Sequence, residues 1–288
     1  MTRLAYPLEW GERTYVMGIL NITPDSFSGD GLYRREDVVQ AALAQARRFV
    51  EAGVDIIDVG GESTRPGAQA VGVEEEMERV LPVIQKLHRE LEVTISVDTY
   101  KAQVAESALA AGADWVNDVW GLRADAEIGQ VISRHKVPVV LMHNRSKPGN
   151  AVLQERLGGR YEGIEYADLL EDVCRELLES VCLARAAGVA DERIILDPGI
   201  GFGKTVAQNL HLINHLERVK TLGFPVLLGP SRKSFIGYTL DVPPDQRLEG
   251  TAAAVAVGIL RGADIVRVHD VEYMVRIARM TDAIMRSG

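Results

Sequence analysis

Eight short apolar runs recur along the chain, and nearly every one ends in polar or charged residues: Tyr15–Asn21, Asp55–Gly61, Thr94–Thr99, Trp115–Val119, Pro138–His143, Arg193–Gly199, Pro225–Ser231 and Ile265–Asp270. Between them lie segments of helical periodicity. In the first, Val38, Ala42, Ala46 and Phe49 fall at three- and four-residue spacing and predict a helix from Arg34 to Glu51. Runs that are apolar throughout suit strands buried on both faces. A β-α unit repeated eight times predicts an α/β fold, a (β/α)8 barrel of the TIM type with parallel strands. In such a barrel the C-terminal strand ends converge on one mouth. Asn21, Glu62, Thr64, Arg65, Asp98, Asn117, Asp197, Lys233, Arg267 and His269 should then share one pocket.

The joints support repetition. Ala52-Gly53-Val54-Asp55, Ala111-Gly112-Ala113-Asp114 and Arg261-Gly262-Ala263-Asp264 each close a helix and open a strand, with Gly taking the left-handed conformation. These turns belong to the face opposite the chemistry. The segment from Ile22 to Gly31 is long for a βα connection and reads as mobile. Asn144–Gly163, with four glycines, reads as a lid or a disordered tract. The helix from Tyr166 to about Ala187 should be the longest. Glu74-Glu75-Glu76 reads as a solvated helix start favoured by the dipole, not a metal site.

No linker composition interrupts the 288 residues, which predicts one domain over 1–288. A net charge of −9 argues against a nucleic-acid partner but leaves room for a local phosphate-binding cluster. Cys174 and Cys182 stand eight apart on one predicted helix, roughly 12 Å, too far for a disulfide. They read as two buried thiols in a reducing cytoplasm. Met1–Trp10 has no apolar core of a signal peptide, and no run of about 20 apolar residues predicts a membrane span.

Gly199-Ile200-Gly201-Phe202-Gly203-Lys204-Thr205 ends like a nucleotide-binding loop. That loop needs a Gly followed by four residues and then Gly-Lys, and here Pro198 stands where the first Gly belongs. The glycines instead let the backbone pass close to a ligand beside Phe202. His211 and His215 lack the neighbouring Glu of a zinc-peptidase helix and read as surface residues. Asp98, Asn117 and Asp197 close three strands, and together they suit a flat heterocycle with several N–H groups. Arg267 and His269 alternate with apolar residues and face one way. An Arg in a barrel strand needs an anion, either a phosphate or Asp270. Thr64 and Arg65 add a hydroxyl and a second planar fork, and Lys233 adds a donor.

These residues fall in segments that resemble the dihydropteroate synthase family from about Met17 to Asp270: Gly18–Ser28, Gly60–Gly67, Ser96–Thr99, Val116–Asp118, Asp197–Lys204, Ser231–Gly237 and Arg267–Asp270. The resemblance implies a transferase that condenses hydroxymethyl-dihydropterin diphosphate with para-aminobenzoate in folate biosynthesis. It implies that Asp98, Asn117, Asp197 and Lys233 hold the pterin. Asn21, Thr64, Arg65, Arg267 and His269 would surround the diphosphate, with Mg²⁺ near Asn21. Phe27, Pro66, Phe202, Lys233 and Ser234 would form the aminobenzoate pocket. Asp98, Asp197, Lys233 and Asp25 would take part in catalysis, and the molecule would be a homodimer. Ser26-Phe27-Ser28-Gly29-Asp30-Gly31 departs from the family's Ser-Phe-Ser-Asp-Gly-Gly by shifting one acid one position. A pterin-binding methyltransferase shares the pterin logic but has no diphosphate to hold, which Arg65 and Arg267 count against. A non-catalytic pterin-binding paralogue is the third alternative.

Overall fold

The computed structural model describes residues 8–23, 35–63, 70–162 and 164–287. Within them, β1 (Tyr15–Asn21), β2 (Ile56–Gly60), β3 (Thr94–Asp98), β4 (Trp115–Asp118) and β5 (Val139–Met142) alternate with α1 (Arg35–Ala52), α2 (Val73–Glu90), α3 (Ala102–Ala111) and α4 (Ile128–His135). A two-stranded antiparallel hairpin follows, β6 (Ala151–Val152) with β7 (Arg160–Tyr161). Then come α5 (Leu169–Ala186), β8 (Ile194–Asp197), α6 (Val206–Asn214), α7 (Glu217–Lys220), β9 (Leu227–Leu228), α8 (Ser234–Leu240), α9 (Leu248–Leu260), β10 (Ile265–Val268) and α10 (Val271–Met285). The parallel sheet runs β8-β5-β4-β3-β2-β1-β10-β9. A parallel bridge between Leu196 and Val226, with Leu196 N–H donating to the Pro225 carbonyl at 2.9 Å, brings its two ends together. The expected barrel is therefore present, and all eight apolar runs supply its strands.

Two apolar layers account for runs that are apolar on both faces. Inward, Tyr15, Met17, Ile56, Trp115, Val140, Ile195, Leu227 and Ile265 fill the lumen, and Leu8 joins them. Outward, alternate positions such as Val16, Ile57, Ile95, Val116 and Val266 pack against the helices. Each large side chain so buried contributes roughly 1.5–3 kcal/mol. Polar residues in the same strands then stand out: Asp58, Ser96, Asn117 and Asp197 are buried too.

The repeated turns behave as the sequence implies. Gly53, Gly112 and Gly262 have φ of 96°, 112° and 102°. Each following Asp accepts a backbone N–H from the preceding strand or its start: Asp55 from Val16 (2.8 Å), Asp114 from Ile95 (2.9 Å), Asp264 from Val226 (2.7 Å). These bonds lie at the N-terminal strand ends.

Four expectations need correction. The stretch 144–163 is not a bare loop, since β6 and β7 pair within it and Tyr238 Oη donates to the Gly158 carbonyl at 3.3 Å. The helix expected from Tyr166 begins at Leu169, because the Asp168 side chain caps it, and its 18 residues only equal α1 and α2. Glu76 is not solvated; it is 1% exposed and bonded to Lys101, because it shares the inner stripe of α2 with Val80 and Val83. Cys174 is buried but Cys182 is exposed on the outer side of α5. Among the described residues no helix is long and apolar enough to cross a membrane.

Candidate active site

Strand register assembles the floor of the mouth. Asn21 pairs with Gly60, Gly60 with Asp98, and Asp98 with Asn117, so four strands deliver these residues to one layer. A Cβ placed on Gly60 would lie 3.6 Å from Asn21 Oδ1 and 3.5 Å from Asp98 Oδ2, so both oxygens overhang the same small residue. One step deeper sits Asp58, fully buried. Its Oδ2 accepts from Arg267 Nε at 2.6 Å and from Asn117 Nδ2 at 2.9 Å. Arg267 Nη2 donates to Asp98 Oδ2 at 2.6 Å.

Arg267 is thus clamped between two carboxylates. Asp270, the alternative partner, goes instead to Arg232 Nε at 2.9 Å. Burial disfavours the charged guanidinium, but Asp58 and Asp98 outweigh it and hold Arg267 even more firmly protonated than usual. Burial drives Asp98 well above the usual carboxylate range, against the pull of Arg267 and with the push of Asp58. Asp58 is the functional residue that sequence reasoning missed. Its signal was available, since an Asp two positions before Gly60 must face the same lumen as the strand-end polar groups.

On the far side of the mouth, β8 presents Asp197, which is 5% exposed. Its Oδ1 accepts the Gly199 N–H at 2.7 Å. Burial pushes its carboxyl up to about 6, opposed by that bond and by the charges of Lys233, Arg267 and Lys204. Asp197 pairs with Met142 at the C-terminal end of β5, and Arg267 bonds Asp98 at that of β3, so both lie at the same end of the barrel. Phe202 packs with Val119 and Met142, and Lys233 Nζ stands 3.9 Å over its ring, a cation–π contact. Lys233 is also the residue immediately before α8, which Ser234 opens. Ser231 Oγ accepts the His269 N–H at 3.1 Å and lies 3.0 Å from His269 Nδ1, tying the segment after β9 to that after β10.

Other groups sit around this mouth with defined partners. Glu62 is held by Lys101 Nζ at 2.5 Å and by Tyr100 Oη at 3.1 Å, so it serves as an anchor for the chain entering 64–69. Lys204, 2% exposed, donates to His143 Nδ1. Asp25, Phe27, Asp30, Thr64, Arg65 and Pro66 lie outside the described residues. His211 and His215 stay at the surface end of α6, their rings 4.6 Å apart. A cavity of about 570 Å³ opens at the opposite end, by Arg13, Thr14, Asp55 and Asp282. Arg13 there is bidentate to Asp55, and Thr14 bonds Asp282 through both N–H and Oγ1.

Among the described residues no cluster of three or more His, Cys, Asp or Glu is arranged to hold a metal. The Asn21 amide oxygen beside Asp98 offers a sparse oxygen set. Mg²⁺ tolerates such a set, because it keeps waters and takes phosphate oxygens from a substrate.

Comparison with known proteins agrees with this geometry. Residues 17–269 match the family model described as pterin binding enzyme. The chain is 51% identical to the dihydropteroate synthase of Bacillus subtilis (strain 168), over 98% of this chain and 92% of that protein. It is 48% identical to a Clostridium difficile dihydropteroate synthase crystallised in the presence of pteroic acid, with a TM-score of 0.87 over 97% of this chain and 99% of that one. A Xanthomonas albilineans dihydropteroate synthase with 4-aminobenzoic acid is 43% identical, with a TM-score of 0.85 over 95% and 94% of the two chains.

Proposed function

The chain belongs to the pterin-binding enzyme family, and from that membership and the opposed charges at its strand ends we infer that it joins a hydroxymethyl-dihydropterin diphosphate to para-aminobenzoate, giving dihydropteroate and diphosphate. The activity is that of a dihydropteroate synthase, a transferase of folate synthesis. The observation that carries this reading is the meeting of Asp98, Asp197 and Arg267 in one buried mouth.

The residues divide the work by charge. Asp98, Asn117, Asp197 and Lys233 bind the pterin, whose N–H groups need acceptors in a buried setting. Asp58 braces Arg267 and Asn117 from below. With Nε and Nη2 of Arg267 taken by carboxylates, Nη1 is the nitrogen left to serve the diphosphate, joined by His269, Thr64 and Arg65. Phe202, Lys233, Ser234, Phe27 and Pro66 receive the aminobenzoate.

An arylamine is a weak nucleophile, so the reaction gains if the pterin C–O bond loosens before attack. The ring spreads the resulting positive charge, and Asp98 and Asp197 oppose it in a water-poor site where such fixed charges act strongly. Arg267 and His269 stabilise the departing diphosphate, and Asp25 stays our candidate for a further catalytic carboxylate. Mg²⁺, held by Asn21 and the diphosphate oxygens, would neutralise leaving-group charge.

We place the enzyme in the cytoplasm, as one domain, and read it as a homodimer. Support for the dimer comes from exposed apolar residues on neighbouring helices: Leu260 on α9, with Tyr273, Met280 and Ile284 on α10, are each more than half exposed. Diphosphate release from the dihydropterin diphosphate, dependent on added para-aminobenzoate, tests the function. No release with both substrates present would overturn it.

A further inference from the structure

One buried cluster at the mouth has no part in the reading above. Lys204 Nζ donates to three neutral acceptors: His143 Nδ1 (2.9 Å), the Gly199 carbonyl (2.9 Å) and the Phe202 carbonyl (3.0 Å). It is 2% exposed and, among the described residues, forms no direct carboxylate pair. Because Nδ1 of His143 accepts, its Nε2 carries the proton and donates to Glu176 Oε2 at 3.1 Å. Glu176 is held in turn by Arg145, whose Nε lies 3.0 Å away, with Arg123 at 3.9 Å. A chain of polar contacts therefore runs from α5 to the turn that follows Asp197.

That turn is unusual in its backbone. Gly199, Gly201 and Gly203 have φ of 70°, 82° and 64°. A Cβ on Gly199 would collide with the His143 carbonyl oxygen, one on Gly201 would come within 2.9 Å of Lys233 Cδ, and one on Gly203 within 2.6 Å of the Arg145 backbone. The turn is thus pressed between the β5 end and Lys233. A single ammonium fastens its first and fourth carbonyls. The same peptide segment sends the Gly199 N–H to Asp197 Oδ1 and carries the Phe202 ring under Lys233.

We infer that Lys204 is a positioning residue, which fixes the 199–203 turn so that Asp197 and Phe202 meet the pterin in working geometry. The inference rests on the dihydropteroate synthase reading of the site. A second effect follows from charge. Asp197 faces Lys233 from the segment after β9, Arg267 from β10 and Lys204 from the turn, and all three favour its ionised form. Lys204 itself faces Asp197, Glu176, Lys233, Arg145 and His143. Removing its charge makes Asp197 easier to protonate.

The test is calorimetric titration of dihydropterin diphosphate into wild-type protein and Lys204→Met between pH 5 and 8.5, with KM and kcat measured for both substrates. Losing an outer partner that orients a metal ligand costs about 10- to 100-fold, and the same scale is expected for Lys204. Lys204→Met should weaken pterin binding by that factor, and the acid limb of its pH profile should move to higher pH. A merely structural lysine would not move that limb. His143→Leu, which removes the acceptor and leaves Lys204, should weaken binding in the same direction. His143→Asn, which keeps an acceptor, should recover part of it. Should Lys204→Met not fold, the two His143 variants decide. Affinity within twofold of wild type and an unmoved acid limb would overturn the inference. A wild-type protein that binds no pterin would instead overturn the functional reading beneath it.

Discussion

Asp197→Asn should make the protein without substrate more stable and the enzyme inactive. Burial lifts the Asp197 carboxyl from 3.8 to about 6. That is roughly two units at 1.36 kcal/mol each, so holding the side chain ionised above pH 7 costs the folded state about 3 kcal/mol. The sign follows from proton counts. Between pH 4 and 6 the folded chain binds more protons at this position than the unfolded chain, so stability falls as pH rises through that window and levels off above it. Asn keeps an acceptor for the Gly199 N–H and carries no charge. The variant should therefore gain about 1–3 kcal/mol at pH 8 and only about a third of that at pH 4.5, where the unfolded side chain is already mostly ionised. With a few degrees per kcal/mol for a chain of this size, thermal melts at the two pH values resolve the difference. Turnover should drop at least about 100-fold, because a fixed negative charge opposite the developing cation is gone. A variant that melts no higher than wild type at pH 8 would show that ionised Asp197 costs the fold nothing, and one that keeps its activity would remove Asp197 from the catalytic site.

Arg267→Met strands Asp58 and Asp98 in the barrel and should cost about 3–5 kcal/mol at pH 8, with a smaller loss near pH 5, where Asp98, lifted by burial, takes up a proton; urea melts at both pH values check it. Lys101→Met leaves Glu76 buried without its ammonium and should cost about 3 kcal/mol, part of which Glu76→Gln restores in the double mutant. Gly199→Ala forces a methyl toward the His143 carbonyl at a φ of 70°, and should lower stability by about 1–3 kcal/mol and weaken pterin binding, read by melting and calorimetry.

How much of this was legible in the sequence depended on whether burial left a linear trace. Strands packed on both faces are apolar without interruption, so Tyr15–Asn21 or Val139–Met142 announce themselves, and the polar residues at their ends mark the mouth. Asp58 left a weaker trace, because its meaning depends on Arg267, 209 residues away, and only strand register joins them. Glu76 was hidden by its neighbours Glu74 and Glu75, since only a helical phase separates the inward acid from the outward ones. The hairpin β6-β7 was hidden for another reason. Its strands are two residues long, and it is steadied from outside, where Arg247 Nη2 donates to the Leu157 carbonyl at 2.9 Å. The same Arg247 bonds the Arg232 carbonyl through Nη1 at 2.9 Å, which fixes the approach to Lys233 and Ser234. Composition at 144–163 carries no sign of these distant partners.

The aspartates of the repeated turns clasp six of the eight barrel strands into three pairs. Asp55 fastens the start of β1 from β2, Asp114 that of β3 from β4, and Asp264 the stretch entering β9 from β10. Seams fall between the second and third strands and between the fourth and fifth, where no such clasp crosses. Fragments cut there, or new termini opened there by circular permutation, would keep every clasp whole, whereas a cut between β1 and β2 would sever one. Six of the barrel strands are thus jointed in twos, and the architecture invites rebuilding by halves.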